Sequence, residues 1–110
     1  MATITKNDGL REEIVTGKIV ADGTATNVSI GFVPKKVAII NATNPSQHIW
    51  QYGMGDGYCL QVASDGTQTV VTSAGISEYD GVTSAAAGFT IGTNAVLNTN
   101  NDVLYFTAYR

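Results

Sequence analysis

His48 is the only histidine of the chain and Cys59 the only cysteine, eleven residues apart. A zinc site takes three or four nitrogen, sulfur or oxygen ligands at tight spacing, and this pair has no flanking ligands, so no metal centre is expected. The six aspartates fall singly at turns, with no D-x-D-x-D-G loop for calcium. Each reads as a residue that shapes its own turn. Nucleophilic catalysis needs a Ser or Cys activated by a base. Only His48 could be that base near neutral pH, and neither G-x-S-x-G nor a cysteine-flanking signature occurs. The nine acidic residues carry no glycosidase motif, although sequence spacing leaves their distances in space open. Gly53-Met54-Gly55-Asp56-Gly57 invites a nucleotide reading, but Tyr58 stands where the third glycine of G-x-G-x-x-G belongs and no G-K-[ST] is present. That segment reads as a hairpin tip or bulge. The chain is therefore expected to be no enzyme and to hold no cofactor.

Binding is the remaining chemistry. Trp50, Tyr52 and Tyr58 flank the glycine tip. Such rings stack on apolar sugar faces or anchor protein interfaces; alternatively they fill one end of the core. Asn27-Val28-Ser29 and Asn41-Ala42-Thr43 match the N-glycosylation pattern. No signal peptide is legible at the N-terminus, so both read as chance matches.

The elements that must position these residues are strands. Fourteen Thr, twelve Gly and eight Asn are poor helix material, and no window carries an apolar stripe at helical spacing. Short alternating runs separated by turn residues recur instead. They cover 13–21, 24–32, 35–42, 48–52, 58–62, 67–72, 88–92 and 103–109. Asp22-Gly23 predicts a hairpin between the first two runs, and Asp65-Gly66 predicts another turn. Val37-Ala38-Ile39-Ile40 is apolar at consecutive positions and predicts a central strand covered on both faces. Val103–Tyr109 also looks buriable on both faces. Residues 73–87 are small and polar and predict a long loop with a short helical turn at 84–87. The expected fold is an all-β antiparallel β-sandwich or small β-barrel of seven to eight short strands, as one domain over 13–110. Residues 1–12 are mostly polar and charged and read as an N-terminal arm. Within it Thr3, Ile4, Thr5, Lys6 and Arg11 are candidate contact residues.

At 110 residues and 11.5 kDa the chain is one domain long. Its 44% hydrophobic content argues against disorder. A net charge of −3 supplies no electrostatic footprint for nucleic acid and no basic patch for membranes. No apolar run approaches the ~20 residues of a bilayer-spanning helix.

Gly31-Phe32-Val33-Pro34-Lys35-Lys36-Val37-Ala38-Ile39-Ile40-Asn41 resembles the G-F-x-P-x-x-V-x-V-x-N segment of small virion proteins from tailed bacteriophages. Ile49-Trp50, Thr69–Ile76, Ala87–Gly92 and Val103–Tyr109 follow in the order seen in such proteins, so the resemblance spans about residues 14–110. The group is similar to capsid decoration (cement) proteins. It implies a structural protein on the outer capsid surface of the virion, made in the bacterial cytoplasm, whose partners are the major capsid protein and further copies of itself. A trimer is expected over a dimer, because capsid surfaces offer local three-fold sites. Related strings in tail fibres leave a second expectation, a receptor- or glycan-binding module with Trp50, Tyr52 and Tyr58 as an exposed platform.

Overall fold

A computed structural model describes residues 3–6 and 13–110; side chains within 3–6 are described only for Ile4. The described residues form nine strands and no helix. These are β1 (Thr3–Lys6), β2 (Ile14–Val20), β3 (Thr26–Ser29), β4 (Lys36–Asn41), β5 (Ser46–Gln51), β6 (Tyr58–Val62), β7 (Gln68–Tyr79), β8 (Gly88–Ile91) and β9 (Val103–Tyr109). They make one antiparallel sheet in the order β1-β2-β9-β4-β5-β6-β7-β8-β3.

The sheet curls onto itself. Phe106 of β9 and Phe89 of β8 are five strand intervals apart in that order, a span of roughly 24 Å if the sheet were flat. Their rings nevertheless meet edge to face with centroids 5.3 Å apart. The bend lies within β7. Its first half pairs with β6 through Cys59↔Val71, and pairing resumes only at Tyr58↔Ile76. The four residues between bulge outward, with Ala74 at φ 60°. The second half of β7 then pairs with β8. β7 is thus shared between a broad layer, β1 to β6, and a narrow layer of β8 and β3. Two glycines make the corner possible. A Cβ on Gly75 would lie 2.6 Å from the Gly57 carbonyl oxygen, and one on Gly92 would lie 2.4 Å from that of Ala74.

Period-two alternation decides what is buried. On the inner face the rows Val15-Ala108-Val37-Trp50 and Ile19-Leu104-Asn41-Ser46 run straight across the ladder, all buried. Phe89, Ile91 and Val28 face them from the narrow layer, and Leu97 fills the remaining gap at zero exposure. The segment after β8 is held by side-chain amides. Asn98 donates to the carbonyls of Thr24 and Gly92 and accepts from the Gly23 N–H. Asn41 donates to the Val96 carbonyl and, at 2.8 Å, to Asp102 Oδ2.

Several expectations change. Asp22-Gly23 closes no hairpin: β2 pairs with β1 and β9, while β3 pairs with β8 across the fold. The strand expected to stop at Thr72 runs to Tyr79, and the helical turn expected at 84–87 is absent: residues 82–85 make a tight turn closed by a Val82↔Ala85 bridge, and 86–87 are irregular. The strands expected to be covered on both faces are covered on one, since Ile40 is 53% and Tyr105 48% exposed. Thr3–Lys6, expected within a free arm, forms β1 against β2, with Ile4 packed on the core. Arg11 and the rest of 7–12 lie outside the described residues.

Candidate interaction surface

The residues able to do acid–base or nucleophilic chemistry meet inside the protein. Ser46 and His48 are two apart in β5 and share its inner face. Their Oγ and Nε2 atoms are 3.1 Å apart. Cys59 arrives from β6, its Sγ 4.0 Å from His48 Nδ1. His48 and Cys59 have no solvent exposure. Burial pushes the imidazole down to about 4, the Val96 carbonyl offsetting part of that effect, and pushes the thiol up to about 11. Both groups are therefore neutral at pH 7, and both pack among the inner-face side chains. Among the described residues no three His, Cys, Asp or Glu converge on a metal position. Asn41, within one of the glycosylation-like triplets, is fully buried.

The three tip aromatics separate. Trp50 points inward at 2% exposure, and its indole N–H donates to the Gly55 carbonyl at 3.2 Å. The hairpin tip folds over it, with Met54 packed against the core and the Glu78 N–H held by Asp56 Oδ1. Tyr52 and Tyr58 stay outside, 69% and 37% exposed. The expected platform of three rings therefore reduces to two tyrosines, because β5 alternation sends residue 50 to the core.

Four of the seven exposed large apolar residues among the described residues, Ile14, Ile40, Val70 and Tyr105, lie on the outer face of the broad layer. Residues directly opposite in register share a face. One outer row reads Thr16-Thr107-Ala38-Ile49-Leu60-Val70, and the next Lys18-Tyr105-Ile40-Gln47-Val62-Gln68. Ile40, Val70 and Tyr105 are about half exposed or more, at 53%, 58% and 48%. Ala38, Ile49, Leu60 and Val62 fill the spaces between them. An open depression of about 310 Å³ at the end of this face is walled by Ile40, Pro45, Gln47, Val62 and Ala63. The only charged side chains in the register rows of β2, β9, β4, β5 and β6 are Lys18 and Lys36. The latter lies 5.5 Å from the centre of the Tyr109 ring. From the sequence, Ala38, Ile40 and Tyr105 were expected on strands covered on both faces. The missing information was strand order: among the described residues no layer packs outside β9 and β4, so their second apolar face is exposed.

Compared with protein-family models, with curated proteins and with solved structures, the chain has no significant match.

Proposed function

We propose that this protein is a structural adhesion module of a tailed-phage virion, a decoration protein that binds the outside of the capsid and braces it without catalysis. The observation that carries the adhesive part of this reading is the apolar outer face of the broad layer. Soluble monomers rarely leave contiguous apolar patches beyond a few hundred Å², and such a face exists to be covered. The phage assignment is supported by the sequence resemblance over residues 14–110, in which Gly31–Asn41 leads into and forms β4 at the middle of the sheet. A brace needs a rigid body and several footholds, since weak contacts on one shell add to avid binding. Carbohydrate recognition at the hairpin tip is the weaker reading, because burial of Trp50 leaves only Tyr52 and Tyr58 to meet a sugar.

The test is to find the chain in the particle of the phage that carries it. Quantitative mass spectrometry of purified heads and tails, with an electron-microscopy map of the head, should give a copy number near that of the major shell protein and density on the outer surface. Recovery of the chain only with tails, or its absence from purified particles, overturns the proposal.

A further inference from the structure

We infer that the outer face of the broad layer is the contact between two copies of this chain, stacked sheet on sheet across a two-fold axis. The inference goes beyond the decoration reading: it starts from the same exposed face, names the partner that takes it, and does not depend on binding to a capsid.

Three features select a second copy over the shell. The first is composition. The middle of the face is Ala38, Ile40, Ile49, Leu60, Val62, Val70 and Tyr105, interrupted by one exposed polar side chain, Gln47, between Ile40 and Val62; Thr16, Lys18, Lys36 and Gln68 stand at its borders. Permanent homomeric contacts resemble a core cut in half, whereas surfaces that wait in water for a later partner are more polar. A face of this kind is covered soon after folding, when the abundant partner is a second copy. The second is extent. Six strands from β2 to β7 at ~4.8 Å spacing, with ladders of about five residues, give a footprint of roughly 500 Å² before side-chain relief is counted. That approaches the ~800 Å² of accessible surface each partner contributes to a standard interface. The third is uniqueness. Of the seven large apolar residues exposed among the described residues, Ile14, Ile40, Val70 and Tyr105 lie on this face. Tyr52 and Tyr58 lie at the hairpin tip and Val82 in the turn after β7. With one apolar face and no comparable second one, closure pairs the face with itself, which is two-fold symmetry. This departs from the three-fold assembly expected from the sequence. No carboxylate lies in the register rows of β2, β9, β4, β5 and β6, so stacking buries no anion there. Lys18 and Lys36 have stems long enough to carry their ammonium groups to the rim.

Ile40→Lys and Val70→Lys test this, each placing a charge in the middle of the stack at a position already more than half exposed. Light scattering on the full chain at micromolar concentration should give twice the monomer mass for the wild type and the monomer mass for either variant. Urea midpoints measured at a concentration low enough to dissociate the wild type should agree, which shows that each variant monomer is folded. A wild-type monomer, a trimer, or variants that associate as the wild type does overturn the inference. Binding to purified phage heads, measured in parallel, separates it from the decoration reading. If the wild type pairs through this face and ignores heads, decoration fails and the inference stands. If the wild type binds heads as a monomer and Ile40→Lys abolishes that, the shell takes the face and the inference fails while decoration stands.

Discussion

Acidification should destabilise this protein through one side chain, His48. Its ring is fully buried, and burial moves its pKa from 6.5 to about 4. The unfolded chain takes up the proton near pH 6.5, the folded protein only near pH 4. Between those values the unfolded state holds more protons, so stability declines as pH falls, from its full value above about pH 7. At about 1.4 kcal/mol per pH unit, the window from 6.5 to about 4 is worth about 3 kcal/mol. That is a large share of the 5–15 kcal/mol typical of a domain. Asp22, held below the usual carboxylate range by the Thr24 hydroxyl and amide, and Asp65, held there by the Thr67 amide, add loss of the same sign. The comparison is therefore a difference against His48→Gln, in which those carboxylates are unchanged. Urea unfolding followed by fluorescence suits the measurement, because Trp50 is the only tryptophan and is buried. The wild type should lose about 3 kcal/mol more than the variant between about pH 7 and 4. Parallel curves, or an imidazole proton resonance that titrates near pH 6.5 in the folded protein, would refute the reasoning.

Phe106→Ala removes one ring of the edge-to-face contact joining the two layers, and should cost about 3–5 kcal/mol in urea unfolding. Asn41→Ala leaves the 6%-exposed Asp102 without its 2.8 Å amide donor and removes one of the donors to the Val96 carbonyl, for an expected loss of about 3 kcal/mol by the same assay. Gly75→Ala drives a Cβ against the Gly57 oxygen that accepts the Gly75 N–H. It should lower stability by about 1–3 kcal/mol and weaken amide-exchange protection at the β6–β7 corner. Cys59 should resist a thiol reagent at pH 8 while the protein is folded and react at once in denaturant, since burial holds the thiol neutral, with a pKa near 11.

Much of the ladder could be read from period-two alternation. Tyr58–Val62 and Val103–Tyr109 have the bounds expected, because in each one apolar set (Tyr58, Leu60 and Val62 on the outer face of β6; Leu104, Phe106 and Ala108 on the inner face of β9) alternates with a second set, and turn residues precede both strands. Pairing was harder to read. Asp22-Gly23 marks where the chain turns but not which strand it meets next. The Gly23 amide is taken by Asn98, 75 residues away, in place of a hairpin partner. The second half of β7 carries few large apolar residues and so lacks a strand signature. It is extended because Ile76, Ser77, Glu78 and Tyr79 pair with β8, and that partner is visible only in three dimensions. The Ser46–His48 pairing was not legible, because the strand was expected to begin at His48 with Ser46 in the turn before it, whereas β5 begins at Ser46. The arrival of Cys59 depended on the β5–β6 hairpin register.

β9 follows the other eight described strands in sequence yet lies between β2 and β4. During synthesis, therefore, the middle of the sheet is vacant until its seven residues emerge, and β2 and β4 each wait with an open backbone edge. The Arg110 amide then closes onto the Glu13 carbonyl at 2.7 Å. A nascent chain halted a few residues short should thus remain a sticky, protease-sensitive intermediate, because nothing earlier in translation can zip its two halves together.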